Sequence, residues 1–383
     1  MLHGAVIKSI KARQIFDSRG KKTVEVELKT GLGKFLASCP SGISTGKYEA
    51  RTVAPPIAVR NIKKFIAPTL IGRSAADQKQ IDKLLDKKLG ANSVLPISIA
   101  LARACAKGKK LPLWKYISKI AGIRPRLTKP AVLLIEAGRH GNTKLDLQEF
   151  MVIPSGKTFR EQFSSGKKIY GNLKRILVDR FGKRGAILGR EGAFNPPQVS
   201  DPKVALDLIM EASRGYNVKI GLDCAASNVR KGKYNTAFYQ KLVRDYPIIF
   251  LEDPFGEEDW QNWRKLSLKF KAQGLQLLIV GDDLTVTNPA RIRQARKKRA
   301  CNAVIIKPNQ IGTVSEAIEA SMLAKSYGGR IIVSHRAGET MDDFIADLAV
   351  GIGADFIKAG SPSKPERMAK YNRLLKIEKE WQN

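Results

Sequence analysis

Short apolar runs that each end in a polar residue recur along the second half of the chain. Six of them end at acidic, basic or imidazole side chains, namely Asp223, Glu252, Asp282, Lys307, His335 and Lys358. Successive terminal residues stand 23 to 30 positions apart, which leaves room for one strand, one helix and two turns. Six such units in series predict a closed β/α barrel.

The amino-terminal part of the chain has a different pattern. Apolar and polar residues alternate from Thr23 to Leu28, glycines follow at 31 and 33, and a second strand-like run spans 34–37, which together predict an antiparallel hairpin or meander. Helical spacing follows over about 59–121. The basic segment 123–130 contains prolines and marks a boundary. We therefore predict an α/β protein with a smaller α+β domain over residues 1–125 and a barrel over residues 126–383.

The residues that end these strands predict a metal site. Barrels collect their chemistry at the carboxyl ends of the strands, so Asp223, Glu252 and Asp282, from consecutive strands, are expected to converge. Three carboxylates without cysteine suit Mg²⁺ better than zinc. Lys307 and Lys358 follow on later strands, and a lysine close to a metal and to another cation has its pKa lowered enough to act as a base.

Composition narrows the class of protein. No apolar run reaches the length of a membrane helix and the amino terminus lacks a secretory pattern, so a cytoplasmic protein without membrane association is expected. Four widely spaced cysteines suggest neither a disulfide framework nor a zinc knuckle. The net charge of +33, from 68 basic and 35 acidic residues, attracts polyanions and makes nucleic acid or a ribosome a possible partner.

Short motifs along almost the whole chain, from about residue 5 to about residue 380, resemble those of enolases. Those in the first half are Asp17-Ser18-Arg19-Gly20, Pro40-Ser41-Gly42-Ile43-Ser44-Thr45-Gly46, Leu89-Gly90-Ala91-Asn92 and Leu147-Gln148-Glu149-Phe150-Met151. Those in the second half include Gly221-Leu222-Asp223, Glu252-Asp253-Pro254-Phe255, Asp282-Asp283-Leu284-Thr285, Asn309-Gln310-Ile311-Gly312-Thr313 and Ser334-His335-Arg336. One such motif is weak evidence, but this many in the same order are specific.

This resemblance implies an enolase fold, with an α+β domain before an enolase-type β/α barrel, and reversible dehydration of 2-phosphoglycerate to phosphoenolpyruvate, a step of glycolysis and gluconeogenesis. It implies two Mg²⁺ ions, one held by Asp223, Glu252 and Asp282 and a second closed in by the loop that carries Ser44. Lys307 resembles the base, and Glu191, with Glu149, resembles the acid that lets hydroxide leave. Substrate contacts implied in the same way are His140, Gln148, His335, Arg336 and Lys358. A homodimer or larger homo-oligomer is also implied.

Several positions depart from the enolase pattern and leave an alternative open. The family pattern Gly-Asp-Glu-Gly-Gly is Gly-Arg-Glu-Gly-Ala here, so that Arg190 adjoins Glu191. Pro308 follows the expected base and lacks an N–H for a strand ladder, and Ala337 replaces a serine. The alternative function is therefore an enolase-fold protein reused as a basic nucleic-acid-associated or ribosome-associated component with little or no activity. Retention of every charged residue with a role favours the enzyme.

Overall fold

The amino-terminal sheet has the strands that the alternating pattern predicts. The computed structural model describes residues 5–42, 46–138, 141, 144–229 and 233–382. Strands β1 (Ile7–Phe16), β2 (Lys22–Thr30) and β3 (Gly33–Ser38) form an antiparallel sheet in that order. In β2, Val24, Val26 and Leu28 are fully buried while the glutamates between them are partly exposed, so that one face of the sheet is apolar.

Helices pack on the apolar face of this sheet. The helices before the barrel are α1 (Pro55–Asn61), α2 (Ala67–Leu70), α3 (Gln78–Asp82), α4 (Ala91–Gly108) and α5 (Leu113–Ala121). A π-helical turn, Ile62–Ile66, joins α1 to α2. Helix α4 buries most of its side chains against β2 and β3, which makes it the central element of this part of the core. The domain boundary at residues 125 and 126 stays a prediction.

Eight strands close into a barrel. They are β4 (Lys129–Glu136), β5 (Glu149–Pro154), β6 (Val218–Asp223), β7 (Ile248–Glu252), β8 (Leu278–Gly281), β9 (Ala303–Ile306), β10 (Arg330–Ser334) and β11 (Phe356–Lys358). Strands β6 to β11 are the six predicted runs. Strand β5 is antiparallel to both of its neighbours, so its first residue, Glu149, lies at the mouth formed by the carboxyl ends of the other strands.

The barrel is surrounded by helices that follow its strands. They are α6 (Phe159–Phe181), α7 (Pro202–Ala212), α8 (Thr236–Asp245), α9 (Trp260–Ala272), α10 (Pro289–Lys298), α11 (Val314–Ser326), α12 (Phe344–Gly351) and α13 (Pro365–Gln382). Apolar side chains inside the barrel, such as Phe250, Ile305 and Ile332, form a core of their own. Within the described ranges, no helix has the length and apolar character needed to cross a membrane.

Contacts with the segment after β10 hold the amino-terminal part against the barrel mouth. Ser41 and Gly338 form a backbone bridge, and Arg103 on α4 pairs with Asp342 at 2.8 Å. Asp17 accepts hydrogen bonds from Ser41 at 2.6 Å and from Arg19 at 3.0 Å. The segment that leads into residues 43–45 is therefore held close to the ends of the barrel strands.

Candidate active site

The predicted site residues surround one cavity at the mouth of the barrel. Those that line it are Gln148, Glu149, Glu191, Asp223, Asp282, Lys307, His335, Arg336 and Lys358. Glu252 is completely buried and contacts Lys358. His140 and Ser44 lie outside the described residues. Residues that are far apart in sequence thus meet because the barrel strands present their ends to the same place.

Lys358 is the centre of the largest charge cluster in this cavity. Its Nζ atom lies 2.6 Å from Glu252 Oε2, 2.9 Å from Glu149 Oε2 and 3.3 Å from Asp223 Oδ2. The strand register explains this, because Asp223 is the neighbour of both Glu149 and Glu252. Burial lowers the pKa of Lys358, but the surrounding carboxylates outweigh it and raise that pKa well above its usual value. The ammonium therefore stays charged.

A second ion pair in the cavity joins Lys307 to Asp282. Gln310 donates to the other oxygen of Asp282 at 3.1 Å, and the Lys307 N–H donates to Thr287 Oγ1 at 2.9 Å. Burial opposes the ion pair with Asp282, yet the pKa of Lys307 is raised. The lowered pKa predicted for this lysine beside a metal ion stays a prediction, because the raised pKa reflects the protein side chains alone, with Asp282 as the largest raising cause.

The carboxylates around these lysines have more negative charge than the lysines can neutralise. Burial, together with Asp223, raises the pKa of Glu252 well above its usual value, and burial and Asp282 raise that of Asp283 to about 7. Among the described residues, Glu252 Oε1 is a buried oxygen without a hydrogen-bond partner. A buried, unsatisfied carboxylate oxygen among other carboxylates fits a hard divalent cation such as Mg²⁺.

The described residues contain two groups of side chains that could each hold a metal ion, because the possible ligand atoms within each group all lie within 4.8 Å of one another. They are Asp253, Asp282 and Asp283, and Glu149, Glu191 and His335. The predicted set of Asp223, Glu252 and Asp282 is not one of these groups. Lysines lie between its members, since Lys358 contacts the first two and Lys307 the third. Asp253 accepts the backbone N–H groups of Asp282 at 2.9 Å and Asp283 at 2.7 Å, and so orients this turn.

Glu191 is held by a neighbouring carboxyl group that the sequence reading missed. Glu136 ends β4 and is completely buried. Its side-chain oxygens accept the N–H of Glu191 at 3.0 Å and that of Ala193 at 2.9 Å. Burial, with the charge of Glu191 as a second cause, raises the pKa of Glu136 to about 8. A Cβ atom at Gly189 would lie 2.3 Å from the Glu136 carboxyl carbon, so this loop needs glycine there.

His335 contacts the side chain of Glu191, whose backbone N–H is held by Glu136. Its Nε2 atom lies 3.3 Å from Glu191 Oε2, and its Nδ1 atom contacts the Arg367 guanidinium. Burial lowers the pKa of His335 to about 4 against the opposing effect of Glu191, and Arg367 lowers it further. Since a guanidinium can only donate, Nδ1 accepts, and the proton of the neutral imidazole is assigned to Nε2, next to Glu191.

Arg336 makes a two-pronged contact with a carboxylate from the amino-terminal part. Its Nη1 atom lies 3.0 Å from Glu49 Oε2, and its Nη2 atom lies 3.2 Å from Glu49 Oε1. Nη1 also donates to Asn309 Oδ1 at 3.1 Å. The guanidinium is thus presented to the cavity in the fork geometry that suits carboxylate and phosphate.

Two of the departures from the enolase pattern are accommodated by the fold. Arg190 is exposed and does not line the cavity, so solvent screens its charge. The expected cost of Pro308 is also absent, because β9 ends at Ile306 and Pro308 begins a short 3₁₀ turn, where no ladder N–H is needed. Ala337 lines the cavity, and its carbonyl accepts from Arg367 at 2.7 Å.

Glu136, Glu49 and Arg367 were not predicted as site residues. Glu136 follows the apolar run 131–135, so the rule that found the other strand ends would have found it. Glu49 and Arg367 lie far in sequence from the residues they contact, and no local pattern signals those contacts.

A closed β/α barrel with buried carboxylates and lysines at one mouth defines a barrel enzyme that works by acid–base and electrostatic catalysis. The chain matches the profile described as "Enolase, C-terminal TIM barrel domain" over residues 125–383 and that described as "Enolase, N-terminal domain" over residues 7–117. It is 42% identical to Enolase B of Dictyostelium discoideum over 423 aligned positions, which cover 98% of this chain and 95% of the relative. The chain therefore belongs to the enolase family, and the predicted fold and family are confirmed.

Proposed function

We propose that this chain catalyses the reversible dehydration of 2-phosphoglycerate to phosphoenolpyruvate at the mouth of its barrel. The observation that carries the proposal is the meeting of Lys358 with Glu149, Asp223 and Glu252 in the cavity that also holds the Lys307–Asp282 pair. Membership of the enolase family supports the same reaction. The roles below are proposals for individual residues.

Lys307 is proposed as the base that takes the proton from the carbon beside the substrate carboxylate. The ion pair with Asp282 raises its pKa, whereas Arg336 and Lys358 act in the lowering direction. A Mg²⁺ ion held by Asp282 would weaken the ion pair, and Arg336 and Lys358 would then favour a neutral amine at Lys307. A neutral amine at this position would be able to accept the proton from the substrate carbon.

Glu191 is proposed as the acid that protonates the leaving hydroxyl group. Its backbone is fixed by Glu136 and its carboxyl group faces the neutral imidazole of His335. Glu149 is proposed to assist it, because burial raises the pKa of Glu149 to about 8 although Lys358 opposes the shift. A carboxyl group that keeps its proton near neutral pH can donate it. The hydroxyl group leaves as water with the proton that Glu191 donates, and the proton that Lys307 takes equals the one that Glu191 loses, so that the overall reaction releases one water molecule.

Mg²⁺ is proposed as the cofactor, held by Asp223, Glu252 and Asp282, with a second ion near Ser44. Asp253 and Asp283 are further candidates around Asp282. The ions would supply positive charge to stabilise the enediolate that forms when the carbon acid ionises. Lys358 would add to this effect, because its ammonium stays charged.

The substrate is proposed to lie between Lys358 and Arg336, which both line the cavity. Arg336 would bind the phosphate in place of Glu49, with the same two-pronged geometry. His335, Gln148 and His140 are proposed as further substrate contacts. A homodimer or larger homo-oligomer and a cytoplasmic location also stay predictions, as does association with nucleic acid.

The proposal is tested by following phosphoenolpyruvate formation by ultraviolet absorbance with purified protein, 2-phosphoglycerate and Mg²⁺. Lys307→Ala should lower kcat by about a hundredfold or more, while Lys174→Ala, at an exposed position on α6, should leave kcat unchanged. Turnover in the wild-type chain that does not exceed that of Lys307→Ala would contradict the proposal and favour the alternative of an enolase fold without activity.

A further inference from the structure

A groove of about 870 Å³ lies between helices α9 and α10, outside the candidate active site. We call it the basic groove, and it is lined by Trp260, Gln261, Arg264, Lys265, Leu268, Gln294, Lys297, Lys298 and Arg299. Five of these nine side chains are cationic and none is acidic. None of them lines the cavity at the barrel mouth.

The arrangement of α10 concentrates its positive charge in the basic groove. Arg291 points inward, is buried, and donates to the carbonyl of Leu284 at 2.9 Å. Lys297, Lys298 and Arg299 are exposed and line the groove. They stand at the carboxyl end of α10, where the helix dipole favours cations. The basic residues of this helix therefore comprise one buried arginine, Arg291, and an exposed cluster at positions 297–299.

The cations of the basic groove are not neutralised by the protein. In the part of the chain that the structure describes, Arg264, Lys265, Lys297, Lys298 and Arg299 form no ion pair with a carboxylate, whereas Glu258 beside the groove is already paired with Arg291. A groove with walls of low dielectric focuses such unpaired charge outward. A ligand that matches this charge is an anion with several negative groups.

Trp260 adds an aromatic surface at one end of the basic groove. It is half-buried, and its ring lies 4.7 Å from the Arg291 guanidinium carbon and 5.6 Å from Lys298 Nζ. The Lys298 side chain is exposed, so a flat ligand can take its place over the ring. An indole beside a row of cations is the combination that binds single strands, in which bases stack and phosphates pair with lysine and arginine.

We propose that the basic groove binds single-stranded nucleic acid, a property separate from the enolase reaction. The groove residues of α9 extend from Trp260 to Leu268, which is about 12 Å of helix and room for a few nucleotides. An acidic peptide would satisfy the cations, but it would gain little from the indole.

The experiment measures binding of a fluorescein-labelled uridine 12-mer to the full chain by fluorescence anisotropy. Five phosphates neutralised by five cations should give a slope of log K against log salt of about −3.5. The triple variant Arg264→Glu, Lys297→Glu, Lys298→Glu should bind at least about tenfold more weakly at moderate salt. Trp260→Leu, which keeps apolar bulk without the indole, should also weaken binding about tenfold. Both variants should keep the wild-type rate of phosphoenolpyruvate formation.

A matched control separates the groove from the general charge of the protein. The triple variant Lys167→Glu, Lys168→Glu, Lys174→Glu makes the same change in net charge at exposed positions on α6 and should bind the 12-mer nearly as well as wild type. Equal losses in both triple variants would overturn the groove assignment, as would a wild-type chain that does not bind saturably. Polyglutamate that binds as tightly as the 12-mer, with no effect of Trp260→Leu on either, would overturn the choice of nucleic acid in favour of an acidic peptide.

Discussion

Replacing Glu136 by glutamine tests whether the carboxyl group beneath the Glu191 loop is protonated in the folded protein. Both side-chain oxygens of Glu136 accept backbone N–H groups, and glutamine keeps only one oxygen. With the amide oxygen in the place of Oε1, both N–H groups keep an acceptor, but the amide NH₂ would replace Oε2 and point a donor at the Glu191 N–H, which should cost about 1 kcal/mol of stability. The loop that carries Glu191 should also be less well placed, with a fall in kcat of about tenfold.

The pH dependence gives the sharper test. The pKa of Glu136 is about 8 in the folded chain, against an ordinary value of 4.5, so between these values the folded state binds more protons than the unfolded state. Stability due to this group is therefore complete below about pH 4.5 and decreases as the pH rises towards 8. One proton contributes about 1.4 kcal/mol per pH unit, which gives a loss of about 2–3 kcal/mol from pH 5 to pH 7. Glutamine does not titrate and lacks this loss.

The assay is equilibrium unfolding in urea, followed by tryptophan fluorescence at pH 5, 6 and 7. The stability advantage of wild type over Glu136→Gln should be largest at pH 5 and should shrink by about 2–3 kcal/mol by pH 7. Glu319→Gln, at an exposed position on α11, should follow the wild-type pH profile. Parallel pH profiles for wild type and Glu136→Gln would refute the reasoning, because they would mean that Glu136 is ionised throughout.

Three further changes test the site. Gly189→Ala places a methyl group against the Glu136 carboxyl group and should cost about 1–3 kcal/mol in urea unfolding, together with a tenfold loss of kcat; an unchanged kcat would show that the loop adjusts. Lys358→Met leaves three buried carboxylates without their cation and should cost about 3–5 kcal/mol at pH 8, less at pH 5, where the carboxyl groups take up protons; an equal loss at both pH values would contradict this account. Arg336→Lys removes the fork that binds phosphate and should raise KM for 2-phosphoglycerate at least tenfold, whereas an unchanged KM would place the phosphate elsewhere.

The barrel was predictable from the sequence because its strands are short, buried and nearly evenly spaced. The strand-end rule located Asp223 and Glu252, which are neighbours in the register. It could not locate Glu149, which begins an antiparallel strand, and only the resemblance to enolases indicated that residue. The same rule applied to the run before Glu136 would have found it, but that strand precedes the regular part of the repeat.

The ion pairs and pKa shifts at the site were less predictable from the sequence than the positions of the site residues. The direction of the Lys307 pKa shift depends on which partner is nearest, and the ion pair with Asp282 is formed by side chains 25 positions apart. The contact between Arg336 and Glu49 joins residues 287 positions apart, which no local pattern encodes. Arg190 adjoins Glu191 in sequence, but its side chain is exposed and does not line the cavity.

The antiparallel pairing of β4 with β5 contains one β-bulge, which sets the position of Glu136. Leu133 lies opposite Met151 and Ile135 opposite Phe150, so Leu134 is an extra residue that shifts the pairing and brings Glu136 opposite Glu149. Side chains directly across an antiparallel pair lie on the same face, so this bulge gives the two acids a common orientation. If β4 paired regularly after Leu133, Ile135 rather than Glu136 would lie opposite Glu149. The bulge at Leu134 therefore determines that two carboxyl groups, rather than one carboxyl group and an apolar side chain, face each other at the barrel mouth.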